Sequence, residues 1–288
     1  MKNIPNHNGK TLLSVLAHPD DETFGMGGTL ALYAQKGVNV HLVCATRGEL
    51  GDIDPEYKER IKSAACLRTQ ELRCATDILG IHQLHFLNYR DSGMPGSEAN
   101  RHPKALAAQP IEKVAGEVAH LIRLIKPDVV VTFDPIGGYR HPDHIAIQQA
   151  TAQAFELAGD TAFEDPDGLP PFKPGKLYFH TINRTFLRIV VWVLRLIGKD
   201  PHRYGRNQDI DLVSIAEVDF PTHVKVDYQP VKDIWKNATA CHASQGGADM
   251  DKGFRGLVTR LFGGHNDTYM QAYPEPEEGQ RVRHDLFD

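Results

Sequence analysis

No apolar stretch in this sequence is long enough to cross a bilayer. The longest, residues 186–197, is broken by Arg188 and Arg195 and falls short of the roughly 20 residues that a spanning helix needs. The opening residues MKNIPNHNGK hold no apolar core of the sort a secretory signal carries, so the expected location is cytoplasmic. Cysteine is scarce. The four present (Cys44, Cys66, Cys74, Cys241) form no CxxC pair and no framework spacing, so reduced thiols are expected, with Cys44 a small core hydrophobe. Neither sign of charge dominates: 32 Lys and Arg stand against 37 Asp and Glu, with no long block of either. A nucleic-acid binder would be basic, so no nucleic-acid partner is expected. With 41% hydrophobic and 24% charged residues, disordered and fibrous classes are removed as well.

Histidine, by contrast, is plentiful, at 15 in 288 residues, and it is the commonest metal ligand. Its placement depends on the fold, which the apolar pattern outlines. Strand-like runs at 11–17, 38–45, 82–87 and 129–133 alternate with helical segments at 27–37, 55–79, 111–125 and 141–157. Such alternation implies an α/β fold, a Rossmann-like, mostly parallel sheet with helices on both faces. Beyond residue 159 the pattern loosens, with strand candidates at 176–181 and 223–226, helices at 186–197 and 231–243, and a Pro/Glu-rich surface tail at 273–288. The whole, 1–288, reads as one domain: a core over 11–160, and an extension over 161–288 that completes the fold and the pocket.

Every charged motif follows a strand. His18-Pro-Asp-Asp21-Glu22 follows the first, Arg47-Gly-Glu49-Leu-Gly-Asp52 the second, Arg90-Asp91-Ser-Gly93 the third, and Tyr139-Arg-His141-Pro-Asp143-His144 lies just after the fourth. In an open parallel sheet these loops share one edge, and a strand order 3-2-1-4 makes the two His/Asp loops face each other where the order reverses. Singly, each Asp or His has an ordinary structural explanation, such as a helix cap. Jointly, acids beside apolar strands would be costly without a cation or hydrogen bonds. A catalytic zinc site takes three His or carboxylate ligands and leaves a position for water. His18 and Asp21, three apart on a turn, with a facing His144, could supply them. Asp20, Glu22, Asp134, His141 and Asp143 are then left for other work.

The Ala17–Glu22 hexapeptide AHPDDE and GGYRHPDH at 137–144 resemble the LmbE/PIG-L family of zinc-dependent N-deacetylases. The Gly48-Glu49 loop, Arg68-x-x-Glu71 and Arg90-Asp91-Ser92-Gly93-Met94 agree. The last of these, with KNATACHASQ at 236–245, resembles the branch that holds the mycothiol-pathway deacetylase and amidase. The resemblance implies one Zn2+ per chain on His18, Asp21 and His144, with Fe2+ or another divalent metal as an alternative occupant, and Asp20 as general base. Chemistry agrees, since a metal lowers the pKa of its water and a non-ligand carboxylate can take the proton. Tyr139 or a protonated His141 would stabilise the carbonyl oxygen, with Asp143 orienting His141 and keeping it cationic. The departing amine would take its proton from His141 or from Asp20. Arg68, Glu49, Asp52 and Asp91 are the expected substrate contacts, although Arg68 and Glu71 could merely pair along their helix. Asp52 is shorter than the acid some relatives carry there.

The expected activity is metal-dependent removal of an N-acetyl or related acyl group from an amino-sugar conjugate, such as an N-acetylglucosaminyl compound. Alternatives are an amidase on a thiol-sugar conjugate, a metal-dependent phosphoesterase with a two-metal site, and a non-catalytic sugar-binding module. A dinucleotide site fits poorly, because acids occupy the first loop where a pyrophosphate needs free backbone amides. Residues 242–245 read as a surface helix terminus, with closure over the pocket as the sharper reading. The 186–197 helix reads as core, with a lid or a subunit contact as alternatives, and a homo-oligomer is left open.

Overall fold

The computed structural model describes residues 5–53, 57, 63–182, 184–205, 208, 210–249 and 264–288. Residues 55, 56 and 58–62 of the expected 55–79 helix lie outside these. A sheet of seven strands runs in the order β3-β2-β1-β4-β5-β7-β6. β1 (Thr11–Leu16) pairs in parallel with β2 (Asn39–Cys44) on one side and β4 (Val129–Phe133) on the other; β2 pairs with β3 (Gln83–Phe86). This is the order expected from the core. β1 and β4 sit at its centre, buried along nearly their whole length, as the unbroken apolar runs TLLSVL and VVVTF require of strands covered on both faces.

The second half enlarges the sheet. β5 (Lys176–Thr181) joins β4 in parallel, and β7 (Asn266–Tyr273) and β6 (Val224–Asp227) then add antiparallel. β7 was not anticipated, and the expected surface tail at 273–288 holds for 273–282, which are exposed or half-buried, but not for the end of the chain. Asp285 and Leu286 are buried, with Asp285 accepting from Tyr33 Oη (2.9 Å) and bonded to His7 Nε2 (2.7 Å). A few anchors, invisible in a Pro/Glu-rich composition, hold this end down.

The helices obey local rules. α1 (Asp21–Gly25) and α2 (Gly27–Gln35) follow β1. α3 (Ala64–Leu79) is capped by the Ser63 side chain on Cys66 N and stops at Gly80, which takes the left-handed conformation. α4 (Ile111–Ile125) buries Val114, Ala115, Val118, Ala119 and Ile122 along one stripe. After the short α5 (Gly137–Arg140), α6 (Pro142–Gly159) packs on α4, with Pro142 in its first turn. α7 (Arg184–Leu196) is core on one side only. Its Leu187, Val191 and Leu194 meet Leu212, Ile215 and Ala216 of α8 (Leu212–Ala216), while Trp192 and Leu196 are exposed.

α9 (Lys232–Cys241) lies against α3, and Cys74 and Cys241 are disulfide-bonded between them with Cα atoms 5.9 Å apart. Reduced thiols therefore hold only for Cys44, buried, and Cys66, exposed. Spacing could not reveal a bridge between cysteines 167 positions apart that only tertiary packing brings together. A cross-link over so long a loop should stabilise by about 2–4 kcal/mol. Reduction or Cys74→Ser should lower Tm by roughly 5–15 °C; an unchanged melting curve would show that the bridge contributes nothing in solution.

Candidate active site

β1 and β4 are neighbours, so the loops leaving their carboxyl ends meet at the switch in strand order. Two backbone features make the meeting close. Asp20 adopts φ 117°, a left-handed conformation that costs a non-glycine residue energy; Thr23 N, Phe24 N and Thr23 Oγ1 all donate to its carbonyl oxygen. Gly137 has φ 64°, and a Cβ there would lie 2.8 Å from the Cβ of His144. Asp134 organises the same turn by accepting from Gly138 N (2.8 Å) and Ile136 N (3.2 Å).

His18 Nδ1 is 3.2 Å from His144 Nε2 and 3.6 Å from an oxygen of Asp21, whose other oxygen is 3.2 Å from His144 Nε2. Zn–N bonds of about 2.0–2.1 Å in a tetrahedron put ligand atoms roughly 3.3 Å apart, so these three donors are spaced to share one such ion. His141 also lies close: nitrogens of His18, His141 and His144 fall within 4.8 Å of one another, as do donors of His18, Asp91, His141 and Asp143. All of these but Asp21 are at most 5% exposed. The site thus contains a His/Asp group that could hold a metal.

Asp143 holds His18. One carboxylate oxygen lies 3.0 Å from His18 Nε2, and the carboxylate also accepts from the backbone N (2.9 Å) and Oγ of Ser92. This leaves Nδ1 of His18 directed at the donor cluster, the usual carboxylate–histidine support of a metal ligand. The expectation that Asp143 orients His141 and keeps it cationic is overturned. Only the backbone N of Asp143 reaches His141, donating to Nδ1 (3.2 Å) as part of the α6 N-cap. Nδ1 accepts, so the proton of the neutral ring sits on Nε2. Burial, with His18 and His144 nearby, also pushes the His141 pKa far down. The ring of Tyr139 stands edge-on to His144 at 4.9 Å, and burial raises its hydroxyl well beyond the physiological range, so it stays a donor.

Acids dominate the electrostatics. Burial opposes a charge on His18, yet Asp91, Asp143 and Asp21 outweigh it and raise its pKa well above the usual value. Asp21 is lowered despite burial, chiefly by His144, and Asp91 is lowered by His18. Asp20 differs: burial raises it to about 6 against the pull of Arg68.

Arg68, expected at a substrate anion, turns its fork inward. Nη1 donates to the Gly48 carbonyl (3.0 Å), and Nη2 meets the Pro19 carbonyl (2.6 Å) and Asp20 Oδ2 (3.1 Å). It does not pair with Glu71, which accepts from Ser244 N and Oγ instead. Asp91 is buried, accepting from Gly93 N and Leu50 N, while Glu49 accepts from Asp91 N. Asp52 is exposed, and its carbonyl accepts from Gln245. Ser92, the support of Asp143, was missed, as was the inward packing of His242 and Ser244, both fully buried. The motif HASQ had marked the latter segment, but its helix-terminal position suggested a surface.

The family model described as PIG-L, GlcNAc-PI de-N-acetylase, matches residues 13–155. A 1D-myo-inositol 2-acetamido-2-deoxy-alpha-D-glucopyranoside deacetylase of Rhodococcus jostii (strain RHA1) is 35% identical over 245 residues, covering 82% of this chain and 82% of its own. A protein of the same description from Streptomyces avermitilis is 34% identical, covering 100% of this chain and 99% of its own. Among solved structures, the N,N'-diacetylchitobiose deacetylase of Pyrococcus horikoshii shares the fold, with a TM-score of 0.62 at 21% identity over 91% of this chain and 83% of that one.

If Asp143 orients a metal ligand, Asp143→Asn should weaken metal affinity about 10–100-fold, read by competition with a chelating dye. Parent affinity in that variant would remove the support role.

Proposed function

This chain belongs to the PIG-L (LmbE) family, and from that premise we propose that it hydrolyses the N-acetyl group of an N-acetylglucosaminyl conjugate, the aglycone being a polyol such as inositol. The observation that carries the reading is the convergence of His18 Nδ1, His144 Nε2 and Asp21 beside a carboxylate, Asp20, that belongs to the same loop. His18, Asp21 and His144 would hold a divalent metal, zinc on the preference of two imidazoles and a carboxylate. Such an ion supplies a Lewis acid that polarises the amide carbonyl and acidifies water.

The residues divide the remaining work. Asp20 takes a proton from the attacking water as its oxygen bonds to the carbonyl carbon. Tyr139 Oη–H and His141 Nε2–H are the donors for the carbonyl oxygen as it gains charge; a neutral imidazole suffices. When the C–N bond breaks, Asp20 returns to the amine the proton it took from water, since burial keeps the His141 ring neutral, with no extra proton to give. Arg68 holds Asp20 in place; Glu49 and Asp52 remain the candidate contacts for sugar hydroxyls, whereas Asp91 is buried and already accepts from Gly93 N and Leu50 N. The domain works as one unit, 11–160 supplying the reacting groups and 161–288 closing the fold around them. Its proposed setting is the cytoplasm. No helix among the described residues is long and apolar enough to cross a membrane.

Amine release from a panel of N-acetylglucosamine conjugates, with free N-acetylglucosamine included, tests the activity; no release from any member by metal-loaded protein would refute it. Asp20→Asn should keep its metal and lose 100-fold or more in kcat, of the order general-base loss costs, and parent turnover would remove Asp20 as base. Metal analysis should find one ion per chain, whereas two tightly held ions would favour a phosphoesterase. Asp20 must be ionised to act, so kcat/KM should fall as pH drops through its pKa. A bound cation beside Asp21 draws that value down, which sets the acid limb at or below pH about 6. An acid limb above 7 would contradict the assignment.

A further inference from the structure

Next to the base loop lies a buried pair of residues, neither of them among the proposed metal ligands. Glu22 Oε1 and His242 Nε2 are 2.6 Å apart, with side chains 1% and 0% exposed. The other oxygen of Glu22 accepts from the backbone N of Asp20 at 3.0 Å. That contact falls on the one residue of the loop with a left-handed backbone, φ 117°. A strained non-glycine conformation persists only where its surroundings over-determine it. Here the carbonyl of Asp20 is held by α1 and its backbone N by Glu22, while Arg68 holds its carboxylate.

His242 is itself fixed from several directions. It caps the end of α9, its backbone N donating to the Thr239 carbonyl, and the ring of Phe24 packs edge-on at 5.9 Å. The preceding residue, Cys241, is bridged to Cys74 on α3, and Ser244 just beyond binds Glu71 on the same helix. α3 also carries Arg68. Arg68, which holds the carboxylate of Asp20, and His242, which holds the Glu22 that binds its backbone N, therefore stand on one bridged pair of helices.

We propose that His242 is a positioning residue for the hydrolysis: by fixing Glu22 it locks the strained backbone of Asp20 and so sets where the base carboxylate stands, without touching metal or substrate. The inference rests on the assignment of Asp20 as base. His242 reaches back from residue 242 to a loop at residue 20, so the second half of the chain contributes directly to the catalytic geometry of the first.

The test compares His242→Leu, which removes the donor to Glu22, with His242→Gln, whose amide nitrogen can occupy the place of Nε2. His242→Leu should lose about 10–100-fold in kcat, the cost of a misplaced reacting group, with KM within about twofold and metal content at the parent level. His242→Gln should recover most of that loss. In an Asp20→Asn background, His242→Leu should cost little more, because the two act through one group. Parent kcat in His242→Leu, equal losses in both variants, loss of metal, or full additivity with Asp20→Asn would each overturn the proposal. If His242→Leu does not fold, Glu22→Ala against Glu22→Gln makes the same comparison, since only the amide keeps an acceptor for Asp20 N. Asp20→Asn alone separates the two claims: parent turnover there refutes the base, whereas its loss alongside a fully active His242→Leu refutes only the positioning role.

Discussion

Buried negative charge around one imidazole is the constraint on which the rest of the structure depends. Asp21, Asp91 and Asp143 all stand within 3.6 Å of His18, and Asp20 lies next to Asp21 in the same loop. The side chains of Asp91 and Asp143 are almost wholly removed from water, and those of Asp20 and Asp21 nearly so. Charges so placed are costly unless paired and hydrogen-bonded. Backbone N–H groups at Gly93, Leu50 and Ser92 answer part of the demand, and Arg68 answers it at Asp20. The raised pKa of His18 expresses the remainder, a call for positive charge at the point where three donors converge. A divalent cation meets that call with two charges in one place.

The fold supplies this arrangement economically. Parallel strands deliver their loops to one edge, and the reversal between β1 and β4 sets two of those loops face to face. The β3 loop then adds Asp91 and Ser92, and Ser92 orients Asp143, which orients His18. The β2 loop adds Gly48, whose lack of a side chain matters: a Cβ there would lie 2.1 Å from Arg68 Nη1. Each of the four loops contributes to holding either a candidate metal ligand or the candidate base.

What could be read in advance was whatever is local. Alternating periodicity gave the parallel sheet, the 3-2-1-4 core order was the common one for such sheets, and the two His-Pro-Asp motifs announced themselves because a turn brings residues three apart together. Long-range pairing was not legible. Asp143 was assigned to its sequence neighbour His141, but its carboxylate crosses to His18, 125 residues away. Arg68 was offered to substrate or to Glu71, one turn along, yet it serves the base loop. The inward placement of His242, the Cys74–Cys241 bridge and the anchored end at Asp285 and Leu286 share one cause: each depends on how the extension packs on the core, and the extension's own pattern is weak.

Anomalous diffraction from a crystal of the zinc-loaded protein tests the central claim most directly. The account predicts a single strong peak per chain at about 2.0–2.2 Å from His18 Nδ1, His144 Nε2 and an oxygen of Asp21, with Asp20 outside bonding distance. A peak bound instead by Asp91, His141 and Asp143, or no peak at this edge of the sheet, would contradict it.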